Sequence, residues 1–153
     1  MTLFVVRHAK AKGRDGWAEP DDLRPLTRRG RAQSEGLIGM LAPHPISRLV
    51  SSPFVRCVQT LAPLAAVRGL PLEMTDDLAE GTSGPRALDL VERLTEPAAL
   101  CSHGDVIMLL VEALAVRGVP MDGPEIPQKG STWVLERDGS AIVRGRYLPP
   151  PPA

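Results

Sequence analysis

Cysteine is scarce in this chain of 153 residues: there are two, Cys57 and Cys101, and no CxxC pair. That argues against a disulfide framework or a cysteine-built zinc site, and both thiols lie in apolar surroundings and read as buried. Aromatic residues make up 3% of the chain, and Trp17 and Trp133 read as packing residues rather than platforms for base stacking. Net charge is missing too. The 18 Lys plus Arg balance the 18 Asp plus Glu, so nothing pulls the whole molecule toward nucleic acid or a membrane surface. No apolar run approaches the ~20 residues of a membrane span. The first such run is short and has no cleavage region of the kind a signal peptide carries. A cytoplasmic location is the resulting expectation. The sequence also holds no HExxH, DxDxDG, P-loop lysine motif, GxGxxG or GxSxG. No metal and no cofactor is expected.

What is present suits one globular domain. A chain of this length buries about 68–70% of its extended surface, and its 43% hydrophobic content is ordinary for such a fold. Residues 1–148 read as a single domain and residues 149–153 as a frayed proline-rich tail. Positive charge is mostly arginine, with 15 Arg against 3 Lys, and arginine is the residue suited to planar recognition of phosphate and carboxylate.

Leu3 to Val6 reads as a buried strand. Residues 9–26 read as a long polar loop, a length often associated with function. Thr27 predicts an N-cap for a helix over 28–41, with Ala32, Leu37, Met40 and Leu41 inward. Arg48 to Ser51 predicts a second strand. Ser52 as N-cap and Pro53 at the first helical position open the next helix, with Phe54, Val58, Leu61, Ala62 and Ala65 as its buried stripe. Leu70 to Met74 predicts an edge strand and Asp76 to Gly84 a polar loop. Ser83 predicts the cap of a helix over 85–95. Ala98 to Ser102 reads as a buried strand, followed by a helix over 105–117 and a Pro/Gly-rich loop over 119–130. Ser131–Glu136 and Ala141–Tyr147 form a predicted hairpin turning at Asp138-Gly139. The alternation predicts a three-layer α/β/α sandwich with a mainly parallel sheet and an antiparallel edge from the C-terminal hairpin.

Three strand-to-helix junctions carry polar residues of one chemical kind. The first strand runs into Arg7-His8, the second into a helix with Arg56 in its first turn, and the strand at 98–102 into His103. Parallel strands point their carboxyl ends to one rim, where helix starts add free N–H groups and a positive dipole end. Two arginines and two histidines there make an anion site suited to a phosphoryl group. A neutral imidazole can attack phosphorus, while cations hold the remaining oxygens.

These residues resemble the histidine phosphatase (phosphoglycerate mutase-like) superfamily. The resemblance rests on Arg7-His8-Ala9-Lys10-Ala11, Arg24-Pro25-Leu26-Thr27-x-x-Gly30, Ser51-Ser52-Pro53-x-x-Arg56-x-x-Gln59-Thr60 and Ser102-His103-Gly104, in the family's order across residues 3–135. The short length and the Leu23–Leu26 segment are similar to the small SixA-type phosphohistidine phosphatases. Lys129 to Leu135 is similar to phosphatase domains found beside Nudix hydrolases. The resemblance implies a metal-independent phosphohydrolase that works through a phosphohistidine on His8, with Arg7, Arg56 and His103 holding the phosphoryl group. It implies Glu80 as proton donor to the leaving group, with Asp105 in reserve. The implied substrate is a protein phosphohistidine, such as that of a phosphotransfer protein. A small phosphorylated molecule, a nucleotide or a sugar phosphate, is the alternative, and an inactive phosphate-binding module the second alternative. Arg24 is expected to brace its loop through a carboxylate, and Lys10 and Lys129 are candidate substrate contacts.

Overall fold

The computed structural model describes residues 1–152. Its centre is one seven-stranded sheet in the order β3-β2-β4-β1-β6-β7-β5. The strands are β1 (Thr2–Arg7), β2 (Arg48–Ser51), β3 (Leu72–Met74), β4 (Ala98–Ser102), β5 (Met121–Asp122), β6 (Thr132–Asp138) and β7 (Ala141–Leu148). Four helices accompany them: α1 (Arg28–Leu41), α2 (Val55–Arg68), α3 (Gly84–Arg93) and α4 (Gly104–Val116). Strands β3, β2, β4 and β1 run parallel. The terminal hairpin joins β1 through β6 in antiparallel pairing, with Gly139 at φ 62° in its turn.

Strand β1 shows why the opening apolar run is continuous rather than alternating. Phe4 and Val6 face the core beneath α1 and α2, with Leu37, Leu41, Leu61 and Leu64. Leu3 and Val5 face the opposite core beneath α3 and α4, with Leu88, Val91, Ile107 and Leu110. Both faces of a central strand covered by helices is the usual arrangement of a parallel sheet. Each such side chain, fully buried, contributes about 1.5–3 kcal/mol. The three layers expected from the sequence are present.

Four local expectations need correction. Helix α2 begins at Val55 after Phe54, not at Pro53, and Phe54 supplies no side-chain cap. Ser52 is drawn elsewhere, as described below. The buried face of α2 is Cys57, Leu61 and Leu64 with Arg56 and Thr60, while Ala62 is exposed; on α1, Gln33 and Ser34 are buried in place of Ala32. Residues 119–130, read as loop, contain β5, which pairs with β7. Of the proline tail, residue 153 lies outside the described residues, and the part described packs on α1. Pro151 is buried, and it lies so close to Gly36 that a Cβ there would come within 2.6 Å of its own Cβ.

Candidate active site

The register of the parallel strands levels their carboxyl ends. Arg7 pairs with Ser102 across β1 and β4, and Ser51 with Cys101 across β2 and β4. The next residues, His8, Ser52 and His103, therefore leave the sheet on one rim. Backbone bonds fix them there: His8 N donates to Ser102 O at 3.0 Å, and Ser52 N donates to Cys101 O at 3.0 Å. Gly130, at φ 83°, donates its N–H to both Arg7 O and His8 O at 3.1 Å. His8 and His103 line a cavity of about 350 Å³ on this rim.

His8 is 6% exposed, and its Nδ1 lies 2.8 Å from Ala9 O. A carbonyl only accepts, so Nδ1 carries the proton and Nε2 keeps a free lone pair. Burial pushes the pKa of His8 down from 6.5 to about 3; the Ala9 carbonyl opposes this, and His103, Arg56 and Arg7 reinforce it. The ring is thus neutral at physiological pH, as a nitrogen nucleophile must be. His103, 5.5 Å away between ring centroids and set edge-on, has Nε2 at 2.9 Å from Ser52 Oγ. That hydroxyl also accepts from Phe54 N at 3.2 Å. When it donates its own proton to Nε2, the neutral His103 ring carries its proton on Nδ1 and donates from there.

Arg56 is fully buried and spans to Asp21, with 2.9 Å to its carbonyl and 3.1 Å to Oδ2. Its guanidinium also lies over the Phe54 ring, 4.9 Å from the centroid. Arg7 donates to Pro127 O at 2.6 Å and lies over the first turn of α4. A Cβ on Gly104 would come within 2.8 Å of its Cζ. Among the described residues, six buried side-chain N or O atoms lack a partner, and three are Arg7 Nε, Arg56 Nε and His103 Nδ1. Buried polar groups are nearly always paired, so each exception needs a reason. Arg7, Arg56 and His103 all line the cavity with His8, and an anion bound there is a partner of matching charge.

The residues singled out from the sequence meet in this cavity: Arg7, His8, Arg56, Glu80, His103 and Asp105 all line it. Glu80 Oε1 is 3.1 Å from Arg14 and 3.4 Å from Arg56. Asp105 Oδ2 accepts from Gly81 N at 2.8 Å and so ties the Glu80 loop to the start of α4. Arg24 pairs with Asp21 Oδ1 at 3.0 Å and bonds Lys12 O, which is a brace through a carboxylate. Lys129 lines the cavity, and Lys12 and Arg14 line it where Lys10 does not. Asp21 is the residue that sequence reasoning missed. Burial alone would raise its pKa, yet hydrogen bonds from Arg24 and Arg56 hold it below the usual carboxylate range. Its only sequence signal was its place in a long loop rich in charge.

Parallel strands with a His-Arg rim at their carboxyl ends define an α/β domain with a cationic cavity on that rim. Comparison with known proteins narrows this. Residues 3–87 match the model of the histidine phosphatase superfamily (branch 1), and the chain belongs to that superfamily. An 8-oxo-(d)GTP phosphatase of Mycolicibacterium smegmatis is 34% identical across 98% of this chain, which spans 48% of that protein's length. A protein histidine phosphatase SixA complexed with tungstate superposes with a TM-score of 0.77 at 24% identity, covering 99% of this chain and 97% of the other. A mycobacterial glucosyl-3-phosphoglycerate phosphatase superposes at 0.70 with 18% identity, covering 95% and 96%. These two structural likenesses concern the fold alone.

Proposed function

We propose that this domain is a metal-independent phosphohydrolase that works through a phosphohistidine on His8. His8 Nε2 attacks the phosphorus in line, forming a P–N bond as the bond to the leaving group breaks. Arg7, Arg56, His103 Nδ1–H and the N-terminal end of α4 hold the oxygens of the transferring group, where preorganised donors act most strongly. Glu80 gives a proton to a leaving alkoxide or amine. Water then attacks the same phosphorus, Glu80 takes its proton, and the P–N electron pair returns to Nε2. The observation that carries this reading is the trio of unpaired donors around a neutral imidazole with its lone pair free.

Two substrate readings remain from the sequence, a protein phosphohistidine and a small phosphorylated molecule. We favour the small molecule, and among small molecules a nucleotide. His8 shares its cavity with Lys12, Arg14 and Lys129, and the 34% identical relative is named for a nucleotide substrate. The named SixA structure, of similar fold, is what supports the protein phosphohistidine.

The test is rapid acid-free quenching of the enzyme with 32P-labelled substrates, EDTA present throughout. The expected result is a base-stable, acid-labile phosphoenzyme, absent in His8→Ala. Wild-type enzyme that binds phosphate but traps no label would make the domain an inactive phosphate-binding module. Label that depends on added divalent metal would remove the metal-independent reading.

A further inference from the structure

The cavity holds more positive charge than one phosphoryl group engages. Arg7 and Arg56 serve the transferring group, with His103 beside them. Arg24 is committed to Asp21, and Arg14 to Glu80 with Asp21 at 3.9 Å. Lys12 and Lys129 also line the cavity, and neither makes an ion pair with any carboxylate among the described residues. Lys129 sits among like charges. Its pKa is lowered by burial first and then by Arg7, Arg24, Lys10 and Arg14. A lysine crowded by cations without a counter-charge is destabilised until an anion arrives. The two lysines come from segments far apart in the chain, Lys12 from the loop after β1 and Lys129 from the segment before β6. Gly130, next to Lys129, donates its N–H to His8 O, and Lys12 N is held by Pro25 O.

We infer that Lys12 and Lys129 form a second anion subsite in this cavity, which receives the phosphate next to the one transferred, so that the substrate is a diphosphate or longer polyphosphate ester. This deepens the proposed function and rests on its assignment of the transferring phosphoryl to His8. A substrate with adjacent phosphates fits a cavity lined by two unpaired lysines in addition to Arg7 and Arg56. A phosphohistidine on a folded protein carries one phosphoryl group and would leave the two lysines unmatched. The chemistry also fits. Attack by His8 Nε2 on the terminal phosphorus breaks its bond to the bridging oxygen, and that electron pair leaves on the next phosphate. A phosphate whose second pKa is near 6 departs as an anion at neutral pH and takes no proton from Glu80. Lys12 and Lys129 would meet the charge that develops there.

The test separates binding from turnover. In the His8→Ala background, where no phosphoryl transfer can occur, dissociation constants are measured by calorimetry for inorganic phosphate and for inorganic pyrophosphate. Pyrophosphate is expected to bind at least tenfold tighter than phosphate. Adding Lys12→Gln and Lys129→Gln should bring the two constants within about threefold, while Lys12→Arg with Lys129→Arg should preserve the preference. Equal affinity for the two anions in His8→Ala, or an equal loss of both in the double glutamine variant, would overturn the subsite. In the enzyme with His8 intact, the double glutamine substitution should lower the ratio of kcat/KM for ADP to that for AMP at least tenfold. An unchanged ratio overturns the subsite as well. If an acidic phosphotransfer protein bearing phosphohistidine competes with pyrophosphate for the lysines and ADP does not, the second anion is a protein carboxylate and the polyphosphate reading falls. Because the binding arm needs no phosphoenzyme, failure of the His8 mechanism would leave its outcome intact.

Discussion

At the scale of single residues, Gly104 shows how closely the site is fitted. A methyl group there would lie 2.8 Å from Arg7 Cζ and 3.0 Å from its Nε. The obstructed atoms are the far end of a flexible side chain, so the fold can yield while the guanidinium cannot stay. Gly104→Ala is expected to lower kcat/KM at least tenfold, because misplacing a charge by an ångström is costly for a preorganised site. Its Tm should hold or rise, since alanine is favoured over glycine in a helix by up to about 1 kcal/mol. Steady-state kinetics beside a thermal melt would check this, and a variant with full activity would remove Arg7 from its assigned place. Arg7, His8, Arg56 and His103 were readable because Arg7 ends a strand, His8 and His103 directly follow one, and Arg56 stands in the first turn of the helix that follows β2. Asp21 was not readable. It reaches Arg56 across 35 residues, and nothing in the order of residues 9–26 says where that loop folds back.

At the scale of elements, side-chain caps were legible where the cap bonds locally. Thr27 Oγ1 accepts from Gly30 N at 3.0 Å, and Ser83 accepts from Arg86 N at 3.3 Å. Helices α1 and α3 accordingly start where the sequence says. Ser52 has the right chemistry for a cap, but its hydroxyl binds His103 across the sheet, and α2 starts later. A tertiary partner outbid the local one. The buried stripe of α2 shifted for a related reason. Phe54 turns toward His103, 4.7 Å between centroids, and Arg56 is buried by its bonds to Asp21 and its place over the Phe54 ring rather than by hydropathy. Thr27 also has a second bond, its hydroxyl to Lys10 O at 3.2 Å, which joins α1 to the segment just past His8. Thr27→Ala is expected to lose about 1 kcal/mol of stability as measured by urea unfolding. A loss below about 0.3 kcal/mol would mean that neither bond matters.

At the scale of the whole molecule, His8 couples the site to stability. Its folded pKa of about 3 lies below the ordinary 6.5, so the folded protein binds fewer protons than the unfolded chain between these values. The contribution is fully present above pH 6.5 and is lost as pH falls toward 3, by about 1.4 kcal/mol per unit. Between pH 6.5 and 5, wild-type protein should therefore lose about 2 kcal/mol more than His8→Asn, whose amide can still donate to Ala9 O. Urea denaturation of both proteins at the two pH values reads this directly. Parallel losses would show that His8 titrates normally in the folded state.

The sequence by itself determined the sheet's parallel half, the three layers and the four arginines and histidines that line the cavity at its rim. Those features follow from short-range rules: continuous apolar runs, helix periodicity, and polar side chains at or shortly after strand ends. Only the tertiary structure decided what lies around them. The register that levels β1, β2 and β4 brings His8, Ser52 and His103 onto one rim. The long loop's return sets Asp21 against Arg56 and brings Lys12 to the cavity that Lys129 also lines. Those partners are distant along the chain, and their meeting depends on how the loops close over the sheet, which residue type and spacing do not encode.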